Sequence, residues 1–277
     1  MTKLSASAMS AFLESPKSFY WQYLHAGTGL SYAPSVARYD HDLAFGTRWA
    51  EFVDAFYTTR PITQASSLEA DLSGWAEKIK PTYLTSFVAL QNNYIASFSP
   101  DDGVRTPDTS ELRLESDRFV ARLDGLSADG IIHECKTTSR APSLDMQLWR
   151  VENSLQVKLY AVLAEAEGVR IEFAYKDSPN VVFRAPVKAI TREQRRFWKA
   201  ELESLWEAIQ LCLHREPAWG HAAFPCHPDG CTIVSKRFIG ECPWKSMCDG
   251  VTGAEHFYRP RPPHIDERTG LELHIVR

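Results

Sequence analysis

The stretch Phe119–Thr138, FVARLDGLSADGIIHECKTT, decides the fold because it joins two strand patterns through a turn. Two short runs rich in apolar and β-branched residues flank the polar segment Ser127–Gly130. A glycine that ends a three-residue loop is typical of a bulged hairpin. The pattern therefore predicts two antiparallel strands.

Three side chains of this hairpin, Asp124, Glu134 and Lys136, have the types and spacing of a hydrolytic metal site. With a loop over residues 128–130, Asp124 and Glu134 are equally far from the loop centre, and such cross-strand neighbours have Cβ atoms about 5 Å apart. Residues two apart on a strand share a side of the sheet, so Lys136 overlooks the same space as Glu134, while Cys135 points away.

These residue types predict phosphodiester hydrolysis. Two carboxylates repel each other unless a cation lies between them, and hard oxygen ligands suit Mg²⁺ or Mn²⁺. The lysine could position the attacking water or remove its proton, while the ion stabilises charge developing on a phosphate. The alternative interpretation is a solvated cross-strand salt bridge, which is common on hairpins.

The composition is that of an ordinary globular protein. With 277 residues, of which 44% are hydrophobic, the chain can form one elaborated domain or two modest ones. No run of about 18 apolar residues or signal-peptide core is visible, so we expect a cytoplasmic protein without membrane contact. The formal net charge of −4 means that any contact with nucleic acid needs a local basic patch.

Apolar spacing predicts the other elements. The expected helices are two short ones around Pro16, then residues 42–57, 67–98 with a break at Pro81, 146–167 and 192–214; the expected strands are 111–115, 119–126, 131–138, 169–176 and 181–189. In the helix 42–57 the acids Glu51 and Asp54 lie off the apolar stripe, and we expect both to face solvent. In the helix 146–167, Gln156 and Tyr160 share one side.

The last long helix begins with an N-cap and a charge run. Thr191 and Gln194 form a predicted capping box. The first two turns contain Arg192, Arg195, Arg196 and Lys199. Such a run is usually only a solvated surface, but it is also the best candidate for a patch that contacts phosphates.

Four of the six cysteines lie close together near the end of the chain: Cys226, Cys231, Cys242 and Cys248. Free cysteines normally behave as scattered small apolar residues, so this clustering predicts a metal centre. Thiolates at such spacings can hold Zn²⁺ or an iron–sulfur cluster.

Taken together, the motifs resemble those of the PD-(D/E)XK nuclease superfamily, in particular its RecB/AddB-like and phage-type exonuclease branch. An N-terminal motif S-x-S-x-[LM]-x-x-F-x-x-C-P-x-x-F-x-x-x-Y is matched by Ser5, Ser7, Met9, Phe12, Pro16, Phe19 and Tyr23, with Ser15 at the cysteine position. A helix motif G-x-x-x-H-x-x-x-[ED] is matched by Gly46 and Asp54, with Ala50 at the histidine position. Asp124, Glu134-x-Lys136 and the Q-x-x-x-Y pair Gln156 and Tyr160 follow in the order of the family.

The resemblance implies an α/β fold with a restriction-endonuclease-like core, a mixed central sheet flanked by helices, a helical N-terminal region and a Cys-rich C-terminal metal-binding segment. The corresponding regions are 1–105, 106–216 and 217–277, within one integrated domain. It implies that Asp124, Glu134 and the main-chain carbonyl of Cys135 bind Mg²⁺ or Mn²⁺. Lys136 would position or activate water, and Gln156 and Tyr160 would face the DNA or brace the site.

For the late cysteines, the resemblance favours a [4Fe–4S] cluster, with Zn²⁺ as the alternative. The implied substrate is DNA, single-stranded or an end-containing duplex, and a recombination or replication protein is an expected partner in a bacterial or phage-infected cell. The implied activity is that of an exonuclease in recombination, repair or phage DNA processing. Ala50 leaves open a catalytically weak or inactive DNA-binding subunit, and a zinc-ribbon scaffold unrelated to nucleases is a third alternative.

Overall fold

A computed structural model describes residues 3–25, 30–32, 40–58, 81–98, 110–138, 144–176, 182–225, 232–235, 238–241, 244–248, 252, 258–260 and 275–276. The chain divides into two compact units. One consists of Met1–Ala37, Glu115–Ala121 and Ala200–Arg277, and the other of Arg38–Leu114 and Arg122–Lys199. The first unit is therefore built largely from the two ends of the chain.

In the first unit, strands from both chain ends pair with each other. The N-terminal elements are β1 (Lys3–Leu4), α1 (Ala6–Glu14), α2 (Pro16–Phe19), a π-helical turn (Tyr20–Leu24) and β2 (Leu30–Tyr32). Ser15 separates the two helices as predicted, and its hydroxyl accepts a hydrogen bond from the N–H of Ser18 to start α2.

The second unit contains two long helices and most of a six-stranded sheet. Its elements up to the hairpin are α3 (Asp40–Thr58), α4 (Pro81–Ser97), β3 (Ser110–Glu115), β4 (Val120–Leu126) and β5 (Ile131–Thr138). The following elements are α5 (Leu144–Glu152), α6 (Leu155–Leu163), β6 (Gly168–Tyr175), β7 (Val182–Arg184) and β8 (Lys188–Ala189). The long helix α7 (Arg192–Trp219) follows, of which Arg192–Lys199 belong to the second unit and the remainder to the first.

The sheet is mixed, with strand order β3-β4-β5-β6-β7 and with β8 paired to β6. β5 and β6 are parallel, whereas β4 pairs with β5 and β7 pairs with β6 in the antiparallel sense. β6 is buried along nearly its whole length, as expected for a central strand that is covered on both sides. The predicted mixed α/β fold with a central sheet and flanking helices is confirmed.

Aromatic side chains pack α3 against α4. The ring of Tyr94 lies edge-to-face with Trp49, Phe52 and Phe56 at centroid distances of 5.7, 5.8 and 5.1 Å. Such pairs are worth about 0.5–1.5 kcal/mol each beyond the burial of their surface. The predicted apolar stripe of α3 is therefore confirmed as core.

The helix predicted over residues 146–167 is wrong in one respect, because it is two helices. α5 ends at Glu152, and the hydroxyl of Ser154 accepts a hydrogen bond from the N–H of Val157, which starts α6. A serine in this position competes for backbone donors and favours a new N-cap over a continuing helix. This break sets the position of Gln156 in the first turn of α6.

The strand predicted over residues 181–189 is also divided. β7 pairs with Glu172–Ala174 and β8 with Gly168–Val169, and Pro186 lies between them. Proline has no N–H to donate to a ladder, so it interrupts the strand.

α7 continues beyond the predicted end at His214 to Trp219. It stops where Gly220 adopts a φ of +53°, a conformation that favours glycine at a helix C-terminus. The predicted capping box at its start is confirmed, since Thr191 and Gln194 exchange backbone and side-chain hydrogen bonds of 2.9 and 3.1 Å.

The remaining strands and helix are β9 (Thr232–Ser235), β10 (Phe238–Glu241), α8 (Lys245–Cys248), β11 (Tyr258–Pro260) and β12 (Ile275–Val276). β11 pairs with β2 and β12 with β1, both antiparallel. None of the helices in the described part of the chain has the length and apolar character needed to cross a membrane.

Candidate active site

The β4–β5 hairpin brings Asp124 to the main chain of β5 where the two strands stop pairing. The ladder consists of two pairs, Gly125–His133 and Leu126–Ile132, which is the predicted register. Beyond it, Oδ2 of Asp124 accepts a hydrogen bond of 2.7 Å from the N–H of Cys135. The carboxylate thus occupies the N–H of Cys135, which a carbonyl of the neighbouring strand would otherwise accept from. Asp124 therefore lies directly beside Cys135, the residue after Glu134.

Glu134 and Lys136 form an ion pair on one side of β5. Glu134 is completely buried, whereas the Lys136 side chain is 35% exposed, and Nζ of Lys136 contacts Oε1 of Glu134. Burial lowers the pKa of Lys136, but the attraction of Glu134 and Asp124 outweighs burial and raises this pKa above its usual value. Lys136 is therefore an ammonium at neutral pH, and part of its side chain stays open to solvent.

Gln156 and Tyr160 extend this pair into a chain of contacts. Nζ of Lys136 donates to Oε1 of Gln156 at 2.9 Å, and Nε2 of Gln156 donates to the hydroxyl of Tyr160 at 2.7 Å. The side-chain amide of Gln156 is hydrogen-bonded through both its oxygen and its nitrogen, so it fixes the orientation of the Lys136 ammonium. The structure thus brings four predicted residues, Glu134, Lys136, Gln156 and Tyr160, into one network.

Helix α3 presents a second buried side to the sheet, and this corrects the prediction for Asp54. At Gly46 an added Cβ would lie 3.3 Å from Oγ1 of Thr137 on β5, so the helix approaches the strand closely there. Ala50 and Asp54 follow at four-residue intervals on the same side of the helix. Asp54 is accordingly buried and not solvent-facing, whereas Glu51 is exposed as predicted and bonds Arg48 at 2.8 Å.

A buried polar network lies on the opposite side of β5 from Glu134. Glu172 of β6, which pairs with Cys135 in the parallel ladder, accepts from Nε of Arg184 at 2.6 Å and from the hydroxyl of Tyr94 at 2.9 Å. Nη2 of Arg184 donates to the hydroxyl of Tyr57 at 2.9 Å. Sequence reasoning missed this network, although an acid within the apolar run VRIEFAY was a signal that it needs a buried partner.

The predicted metal centre at the late cysteines mostly lies outside the described residues. Cys226, Cys231 and Cys242 are not among them, so the centre stays a prediction. Cys248 is described, and its Sγ accepts a hydrogen bond of 3.4 Å from Nε1 of Trp21. In the described ranges, no group of three or more His, Cys, Asp and Glu side chains is placed to hold a metal ion.

Comparison with known families gives one match over nearly the whole chain. The family model described as the PD-(D/E)XK nuclease superfamily matches residues 3–249. A search of curated proteins finds no match. The matched span includes the N-terminal helices, the sheet with Asp124, Glu134 and Lys136, and all four late cysteines.

Proposed function

The chain belongs to the PD-(D/E)XK nuclease superfamily, and from this premise we propose that it hydrolyses DNA phosphodiester bonds with Mg²⁺ or Mn²⁺. The observation that supports the proposal best is the contact chain from Glu134 through Lys136 to Gln156, next to the carboxylate of Asp124. A solvated salt bridge, the alternative interpretation of these residues, does not account for a fully buried Glu134.

The donor atoms at this place fit a hard divalent cation. Asp124 and Glu134 supply carboxylate oxygens, and the carbonyl of Cys135 is a third oxygen of the same strand segment. Two carboxylates beside a single ammonium leave an excess of one negative charge, which a cation would neutralise. When bound, Mg²⁺ or Mn²⁺ would supply stabilisation of the charge that develops on the phosphate.

Lys136 would act as a fixed cationic donor. Its ammonium contacts Glu134 and bonds Gln156 at 2.9 Å, so it would hold a phosphate oxygen or the attacking water by a hydrogen bond. Gln156, itself bonded to Tyr160, would keep the ammonium in position. Fixed orientation of a donor toward the reacting group is a major source of rate enhancement in such sites.

We further propose an exonuclease that acts on single-stranded DNA or on duplex ends in recombination, repair or phage DNA processing, together with a recombination or replication protein. This part rests on the motif pattern of the sequence. It makes a direct prediction: linear DNA is degraded, and circular single-stranded DNA of the same sequence is not.

The central test is Lys136→Ala in a cleavage assay with labelled single- and double-stranded DNA and Mn²⁺. We expect the variant to degrade DNA at least about a hundredfold more slowly, a typical effect of removing one positioned hydrogen-bond donor from a catalytic site. Lys188→Ala is the matched control, because Lys188 is an exposed lysine that pairs with Glu152. Equal rates for wild type and Lys136→Ala would refute the proposal.

A second candidate function follows from Ala50. This residue lies on the side of α3 that faces β5, at the position where the resembled motif has a histidine. A site with fewer ligands would bind its cation weakly and leave a DNA-binding or complex-building subunit. If neither wild type nor Lys136→Ala cleaves the labelled DNA in this assay, but both bind it, the second function is favoured.

A smaller effect is expected at Gln156. Gln156→Ala removes the acceptor that orients Lys136 but leaves every carboxylate in place, so the cleavage rate should fall about ten- to a hundredfold. The temperature of unfolding should stay within a few degrees of wild type, since Gln156 is only partly buried. Tyr160→Phe, which removes only the hydroxyl, should have the weaker effect of the two. An unchanged rate in Gln156→Ala would show that Lys136 needs no such support.

A further inference from the structure

The solvent side of α7 carries large apolar side chains where the surface of a helix is normally polar. Phe197 is 69% exposed, Trp219 61% and Leu211 51%, and the first two are the most exposed large apolar side chains of the described residues. Apolar side chains that line up on the open side of a helix mark an interaction surface. The residues of α7 that are buried project from its other side: Leu202, Trp206 and Ile209.

Seven residues of α7 form one stripe on this open side. They are spaced three or four apart, so at about 100° per residue they project within about 80° of one another. We call them the α7 stripe: Phe197, Glu201, Ser204, Ala208, Leu211, Arg215 and Trp219. All belong to one continuous helix, and Cζ of Arg215 lies 5.7 Å from the ring centre of Trp219, so the stripe continues past Pro217 to the end of the helix.

The sequence of the α7 stripe is complementary to itself about Ala208. Phe197 and Trp219 each lie eleven residues from Ala208, and Glu201 and Arg215 each lie seven residues from it. A second copy of α7 that runs antiparallel, with the two Ala208 residues opposite each other, therefore places Glu201 beside Arg215 of the partner subunit. It also places Phe197 beside Trp219 of the partner subunit, so acid meets base and ring meets ring on both sides of the two-fold axis.

The sizes of the side chains also suit a pair of helices. Ala208 and Ser204 are small and exposed, so at the centre two helices can approach to the closer end of the usual interaxial range of about 8–10 Å. Antiparallel helices that cross at about 20° move apart toward their ends, about 16 Å from Ala208. The large rings of Phe197 and Trp219 stand at those ends and fill the wider gap.

The exposed area of the rings sets the strength that we expect for such a pairing. An aromatic side chain buries about 150–250 Å², so the four rings of a dimer, each about two-thirds exposed, supply roughly 400–650 Å². Specific interfaces bury at least about 1,200 Å², and Leu211 and the two ion pairs supply only part of the remainder. The dissociation constant should therefore lie in the range of roughly 1–100 μM.

We propose that the chain forms a symmetric dimer in which the α7 stripe pairs antiparallel with that of a second copy. A surface for a different protein does not need its two rings, or its acid and its base, at equal distances from one residue. An interface between identical copies does, because each residue meets its counterpart across the two-fold axis. The dimer uses a surface apart from the contacts of Lys136, so it stands whether or not the chain cleaves DNA.

The first test is sedimentation velocity of the full chain between about 1 and 300 μM. The mass should rise with concentration from 31.4 kDa toward twice that value. Ala208→Glu puts two carboxylates opposite each other at the centre of the pairing and should raise the Kd at least tenfold.

His214→Glu is the matched control for Ala208→Glu. His214 is exposed on the same helix but projects about 100° away from the middle of the α7 stripe, so this variant should dimerise as wild type does. A wild-type protein that stays a monomer at every concentration would overturn the proposal. So would an Ala208→Glu protein that dimerises as tightly as the control.

Charge reversal tests the antiparallel register. Glu201→Arg alone and Arg215→Glu alone each place like charges together at two points of the dimer, and each should raise the Kd at least tenfold. Mixed in equal amounts, the two variants should form a heterodimer with both pairs opposite in charge again, and its Kd should return close to that of wild type. Single variants that dimerise as tightly as wild type, or a mixture that does not recover, would overturn the antiparallel pairing.

Discussion

Glu134→Gln should abolish DNA cleavage and, with it, the stabilisation of the protein by Mn²⁺. The substitution keeps the size of the side chain and removes one of the two carboxylates beside Cys135. Glu134 is completely buried, so water cannot replace it as a ligand without a change in packing. A ligand that binds only the folded state stabilises it by about 2.7 kcal/mol at a hundred times its Kd, and this increment should disappear.

The measurement is the unfolding temperature of wild type and Glu134→Gln with EDTA and with increasing Mn²⁺, next to the cleavage rate. The quantity compared between the two proteins is the increase in unfolding temperature that Mn²⁺ causes. A change in the stability of the metal-free protein therefore does not affect the result. Glu51→Gln is the control, since Glu51 is an exposed acid of the same unit that pairs with Arg48. A Glu134→Gln protein that Mn²⁺ stabilises as much as wild type would show that this carboxylate holds no cation.

The part of the site that the sequence predicted correctly depends on local geometry. The register of the β4–β5 hairpin follows from its loop, and the shared side of Glu134 and Lys136 follows from the alternation of a strand. Gln156 and Tyr160 meet because four residues make about one helical turn. That Gln156 reaches Lys136 does not follow from such rules, because it depends on Ser154 starting α6 at the right place.

The predictions from sequence failed for residues whose burial depends on an additional element packed against them. Asp54 lies off the aromatic stripe of α3, but Gly46 lets the same helix approach β5, so another side of α3 is buried as well. Glu172 and Arg184 belong to different strands, and nothing in the spacing of one reveals the other. Pairing of distant residues depends on the sheet order, which the spacing of residues along the sequence does not reveal.

The ion pair of Glu172 and Arg184 leads to the largest expected effect on stability. The two side chains are 2% and 15% exposed, and Cζ of Arg184 lies 3.7 Å from the ring centre of Phe98. Removing one member of a buried pair leaves the other charge without its partner, at a cost of about 3–5 kcal/mol. Arg184→Met should therefore lower the free energy of unfolding by about this amount, and Glu172→Leu should do the same.

The double variant Glu172→Leu with Arg184→Met distinguishes a buried pair from two independent contacts. With both charges replaced by apolar groups no charge is left buried, so the loss should be much smaller than the sum of the two single losses. Urea unfolding of the four proteins gives the coupling free energy, and Arg48→Met, at the exposed pair with Glu51, should cost no more than about 1 kcal/mol. Additive losses in the double variant would mean that Glu172 and Arg184 do not stabilise the fold as a pair. In that case the hydroxyls of Tyr57 and Tyr94 would be the partners that keep each charge buried.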